Sequence, residues 1–168
     1  MLIELIRLTL FPAMMAFAAS SDLLTMTIAN RVSLILIGGF VLLAALSGLS
    51  GAELLSHVEA AGAVLVVAFF CFSRGWIGGG DAKLAAATAL WLGFSHLFDY
   101  LIYASVLGGA LTLAIVQFRH FPLPHILLGR EWAERLHRDG GGVPYGIALA
   151  AAALLVYPQT EWMTAIGF

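Results

Sequence analysis

The chain has 168 residues, 61% of them hydrophobic and only 11% charged, with a mean hydropathy of +0.98, a composition that excludes a water-soluble globular domain. A formal net charge of −2, with no basic tail or stripe, gives no case for a nucleic-acid partner. Cys71 is the single cysteine, which excludes an intrachain disulfide and a CxxC metal knuckle.

A spanning helix needs about 20 mostly apolar residues to cross roughly 30 Å of hydrocarbon. The succession of such stretches predicts an all-α membrane protein, a polytopic bundle of six transmembrane helices forming one membrane-embedded domain over residues 1–168. The first predicted span covers residues 2–20, broken only by Glu4 and Arg7 on one helical face. Arg7 before an apolar run and Ala16-Phe17-Ala18 after it also imitate a secretory signal. The barely basic start, and the apolar chain that follows, favour a retained span. Asp22 closes this span at the head of a polar connection over residues 21–31, and residues 32–50 form the second span. Residues 51–59, with Glu53, His57 and Glu59, read as an acidic loop before a third span over 60–73, entered from about Leu54.

The next stretch is Arg74-Gly75-Trp76-Ile77-Gly78-Gly79-Gly80-Asp81-Ala82-Lys83, a glycine-rich turn ending in an acid. The apolar run behind it is short, and even residues 82–98 barely reach a crossing length. The turn is therefore expected inside the membrane boundary, where irregular backbone is tolerated only beside protein or a water-filled cavity. Residues 97–118 form the fifth span and 143–157 the sixth. Between them, Ile126, Leu127, Trp132 and Leu136 predict a helix lying in the interface. His120, His125 and His137 fall there too, but their irregular spacing across Pro122 and Pro124 does not suit a metal site.

Arg31, Arg74, Lys83, Arg119, Arg130, Arg135 and Arg138 all lie in the connections after the first, third and fifth spans, with Arg7 the exception. Positive residues mark the cytoplasmic side. Asp22 and Asp81 are thus expected to face the cytoplasm together, with both termini outside.

Two carboxylates that share a site do not both ionise easily, so one keeps its proton while the other acts as a base. That is the requirement of aspartic proteolysis, which needs no metal or cofactor. Gly78, Gly79 and Gly80 would let a substrate backbone approach and would allow positive φ. Each acid alone has an ordinary explanation. Asp81 is placed to cap a helix N-terminus, whereas Asp22, at a helix C-terminus, opposes the macrodipole and gains nothing from it. Lys83 would stabilise the pair's charge or bind substrate, against the plainer reading of a lysine snorkelling at a membrane edge. As a pair on one predicted face, the acids favour function. The competing class is a small transporter or ion-conducting protein using the same acids; internal repeats would favour it, and none stands out.

Asp22 with Ile28-Ala29-Asn30, Gly78-Gly79-Gly80-Asp81-Ala82-Lys83-Leu84, and Val143-Pro144-Tyr145-Gly146 together resemble the prepilin peptidases. These are aspartic membrane proteases with a GxGD motif, sharing their catalytic logic with presenilins. The resemblance implies that Asp22 and Asp81 are the catalytic aspartates. It further implies cleavage of the short positive leader of type IV prepilins, on the cytoplasmic side of the inner membrane, just before the apolar helix. The small size and Val-Pro-Tyr-Gly stretch resemble the short form that serves tight-adherence (Flp-type) pili. Longer relatives carry an extra cytoplasmic segment and N-methylate the new terminus; that segment is absent here, so methylation is not expected. Ala29 stands where the family usually has proline, which bears on the stiffness of the loop holding Asn30. Pro144, Tyr145 and Gly146 are then candidates for positioning substrate or loop.

Overall fold

A helix in lipid can be apolar all round, because burial is no longer the only way to leave water. The helices of this chain have that character. Phe11, Leu36 and Leu84 are fully buried, while the equally apolar Leu34, Val66 and Phe69 are exposed. The structure, a computed structural model, describes residues 2–164, and no strand occurs among the described residues. The helices are α1 (Leu2–Thr25), α2 (Asn30–Ser47), α3 (Gly51–Ser73), α4 (Gly79–His120), α5 (Glu131–His137), α6 (Tyr145–Val156) and α7 (Glu161–Thr164). Four of them, α1 to α4, are long and apolar enough to cross a membrane.

The 42 residues of α4 would extend about 63 Å if straight, twice the hydrocarbon thickness. They are not straight. Gly93, at φ 69° and ψ 176°, breaks the helix into arms over residues 79–92 and 94–120. Ala85 of the first arm and Ala104 of the second line the same groove beside α3, although a straight helix would hold them about 28 Å apart. The chain therefore reverses at Gly93.

A reversal inside a bundle strands the carbonyls that end one helix and the N–H groups that begin the next. Side chains from elsewhere meet them. His57 Nδ1 donates to the Leu90 carbonyl at 2.8 Å, and Trp162 Nε1 donates to the Trp91 carbonyl at 2.7 Å. The Phe94 N–H donates to Ser56 Oγ at 3.3 Å. A side chain on Gly93 would press on the His57 ring. His57→Phe leaves the buried Leu90 carbonyl unpaired, and is expected to cost about 1–3 kcal/mol of stability in mixed micelles. Glu59→Gln, on an exposed position of the same helix, should leave unfolding unchanged.

Several sequence expectations need correction. The six expected spans are not of equal length: the first arm of α4 has 14 residues before Gly93 and α6 has 12, fewer than the about 20 of a usual crossing. The polar connection over 21–31 shrinks to 26–29, because α1 continues to Thr25. Ser20 and Thr25 satisfy their hydroxyls on carbonyls one turn back, which lets polar residues stay helical. The acidic loop over 51–59 is the start of α3, opened by a reciprocal capping box between Ser50 and Glu53. The interfacial helix is divided at Gly129, which adopts φ 78°. Only α5 is α-helical there, and Ile126 is exposed. The signal-like stretch contributes Phe11, Met15 and Ala18 to the core.

Candidate active site

Asp22 occupies the last turn of α1 and is 5% exposed. Past it the chain must turn sharply, and hydroxyls fasten that turn. Ser21 Oγ donates to the Thr27 carbonyl at 2.9 Å, and the Thr27 hydroxyl, 2.7 Å away, donates to Thr25 Oγ1. Met26 takes φ 54°, alone among the described non-glycine residues in being positive. This folds Thr27 and Ile28 back beside Asp22.

Asp81 is delivered by the start of α4. The N-cap is Gly78, not Asp81, which stands one turn into the helix and accepts the Gly78 N–H on its carboxylate. This is the return half of a capping box, with glycine supplying no side chain for the other half. Gly75 at the head of the turn takes φ 72°, whereas the triplet does not use its freedom for positive φ, since Gly78 has φ −72° and Gly79 and Gly80 are helical. Their value lies in proximity. A Cβ on Gly80 would sit 3.1 Å from Ile28 Cβ and 3.2 Å from its carbonyl oxygen, and one on Gly78 would sit 2.9 Å from Asp81 Oδ2. The second triplet behaves as ordinary punctuation, with Gly140 at φ 72° and the Gly141 and Gly142 carbonyls accepting from Arg119.

The third segment meets the first. Pro144 precedes α6, and the Gly146 N–H in its first turn donates to Asp22 Oδ2 at 2.7 Å. Asp22 therefore opposes the dipole of its own helix but faces the N-terminal end of α6, which welcomes an anion. The sequence reading that it gains nothing from a macrodipole considered only α1. Tyr145 extends the other way, its hydroxyl directed at the Ala104 carbonyl (3.5 Å) in a notch left by Gly108.

Asp22, Asp81, Gly78, Gly79 and Gly80 line one cavity of about 250 Å³ with Met26, Thr27 and Ile28. The acids are close enough for the charge of Asp22 to act on Asp81. The space accommodates several waters, each of which takes about 30 Å³ in the liquid. Lys83 is placed elsewhere. Two residues after Asp81 it emerges on another side of the helix, where its Nζ donates to Asn30 Oδ1 at 2.8 Å. Both line a separate apolar groove between α2, α3 and α4. Thr27 and Met26 were not singled out from sequence, and nothing in their local pattern marks them. Ile28 had a usable signal, since it lies in the stretch that carried the family resemblance.

The helix ends of this polytopic helical protein thus enclose two aspartates in one cavity. The family model described as the type IV leader peptidase family matches residues 9–113, more than half of the chain and both acids, and the chain belongs to that family. It is a peptidase, with substrates of the prepilin type in general. Neither a curated protein nor a solved structure matches it.

Proposed function

We propose that the chain is an aspartic endopeptidase of the bacterial inner membrane that removes the leader of Flp-like type IV prepilins, using Asp22 and Asp81 as its catalytic pair. The observation that carries this reading is the shared cavity: acids 59 positions apart in sequence line it together. One carboxylate, ionised, takes a proton from a water whose oxygen bonds to the scissile carbonyl carbon. The other, protonated, hydrogen-bonds the carbonyl oxygen. Collapse of the tetrahedral adduct breaks the C–N bond, and the proton goes to the departing amine. The Gly146 N–H occupies one oxygen of Asp22, leaving the other for water. No metal or organic cofactor takes part.

The chain acts as one membrane-embedded domain with six crossings, the two arms of α4 counted separately and α6 as the last. The basic residues at the Asp22 and Asp81 end support a cytoplasmic active site with both termini outside. Asn30 and Lys83 pair with each other beside the site, Gly146 orients Asp22 through its N–H, and Pro144 and Tyr145 position the start of α6.

The test is incubation of the full chain in liposomes with a panel of prepilins, following the leader fragment by mass. Release of the leader just before the apolar helix is expected. An uncut panel, together with proton or cation flux through the same liposomes, would replace this reading with the transporter.

A further inference from the structure

α1 ends at Thr25, and the last carbonyls of a helix have no partner within it. The Leu24 carbonyl, two residues past Asp22, accepts from Arg135 Nη1 at 2.9 Å. That donor belongs to α5, 111 positions away in sequence. A guanidinium there also complements the negative end of the α1 dipole. One stretch of chain thus holds Asp22 twice: Arg135 takes the backbone of its turn, and the Gly146 N–H takes its carboxylate.

The same stretch is fastened to α4. Arg119, near the end of that helix, donates from Nε to the Leu136 carbonyl at 2.7 Å. Its Nη2 donates to the Gly141 and Gly142 carbonyls at 3.0 and 2.9 Å. Ala133 and Leu136 of α5 are buried, and the Phe118 and His137 rings meet edge to face at 5.2 Å. The first arm of α4 opens the other half of the site with Asp81. A continuous set of contacts therefore runs from α4, through residues 135–146, to the turn that carries Asp22.

We propose that Arg119 and Arg135 are positioning residues for the peptidase: through residues 135–146 they fix the end of α1, and with it Asp22, relative to the helix that carries Asp81. The inference rests on the peptidase reading above. Neither arginine lines the aspartate cavity, so each acts through Asp22 and not on the reacting atoms. Losing either leaves both proton carriers present but lets one drift, and a displacement of about 1 Å is enough to slow a reaction strongly. The two arginines differ in what could replace them. Lysine at 135 keeps one charged donor for one carbonyl, whereas lysine at 119 cannot reproduce the planar fork that meets three.

The test uses the full chain in liposomes with a prepilin-type substrate. Arg135→Met and Arg119→Lys are each expected to lower kcat about tenfold with KM unchanged, and Arg135→Lys to stay within about threefold of the parent. In a Gly146→Ala background, Arg135→Met should add little further loss, because both changes act on the aim of Asp22. A full multiplicative loss in that background, or a loss carried by KM, would overturn the proposal. Amide exchange in mixed micelles reads the same clasp without turnover. Amides of residues 22–29 should exchange faster in Arg135→Met while those of α3 keep parental rates. Unchanged exchange over 22–29 would also overturn it. If the unsubstituted chain cuts no prepilin, it is the peptidase reading that fails, and the exchange rates still decide whether Arg135 holds the end of α1.

Discussion

Asp22→Asn and Asp81→Asn are each expected to reduce prepilin cleavage by about 10³-fold or more, since either change removes a group that must exchange a proton with water or with the leaving amine. Asparagine has nearly the same shape as aspartate. At position 22 its carbonyl oxygen can still accept the Gly146 N–H, now seen at 2.7 Å, and at position 81 it can still accept from Gly78. Insertion and helix content should therefore match the unsubstituted chain, which separates lost chemistry from a lost fold. The double variant should be no slower than the worse single one, because groups acting on one proton-transfer event are not additive. Fragment yield by mass spectrometry over time gives the rates. Cleavage within about tenfold of the parent by either variant would remove that acid from the mechanism.

The elements legible in the sequence were those that repeat a local rule. Composition announced lipid, and the apolar runs located α1 to α3 to within a few residues at most ends. Local rules failed where a distant partner decided the outcome. The Gly51 to Glu59 stretch reads as a loop because its acids are conspicuous, yet Ser50 and Glu53 turn them into a helix start. Residues 82–118 read as two spans meeting near residue 97, whereas the chain turns at Gly93. His57, Trp162 and Ser56 hold that point, each remote in sequence from the group it satisfies. The site followed the same division. Asp22 and Asp81 could be paired by topology alone, but the Gly146 N–H that orients Asp22 lies 124 residues away. The glycine triplet was noticed for backbone freedom and substrate approach, whereas in the structure it lets the Ile28 backbone pack close to Gly80. Nearness along the chain made Lys83 a candidate to stabilise the charge of the pair or bind substrate, against the plainer reading of a snorkelling lysine. Helical geometry turns it away from Asp81 and towards Asn30.

Gly146→Ala should slow cleavage about 100-fold while leaving the chain folded. The added Cβ would stand 2.8 Å from Asp22 Oδ2 and 2.6 Å from Ile28 Cδ1. Both are closer than real contacts allow, but the two neighbours differ in what they can yield. The Ile28 terminus can rotate aside at modest cost. The Asp22 carboxylate is held by the N–H of the same residue that now crowds it, so it must swing away and lose its aim at the cavity. A displacement of about 1 Å at a reacting group is enough for a 100-fold loss. The fall should appear in kcat, with KM little changed, because the substituted position lies behind the carboxylate. Gly142→Ala, where an added Cβ meets nothing within 4 Å, is the matched control and should cut at the parental rate. Adding Ile28→Val to Gly146→Ala removes the Cδ1 contact and leaves the carboxylate contact. The double variant should regain thermal stability without regaining rate. A rate restored by Ile28→Val would show that Gly146 serves the packing of α6 against Ile28, and that the aim of Asp22 does not depend on it.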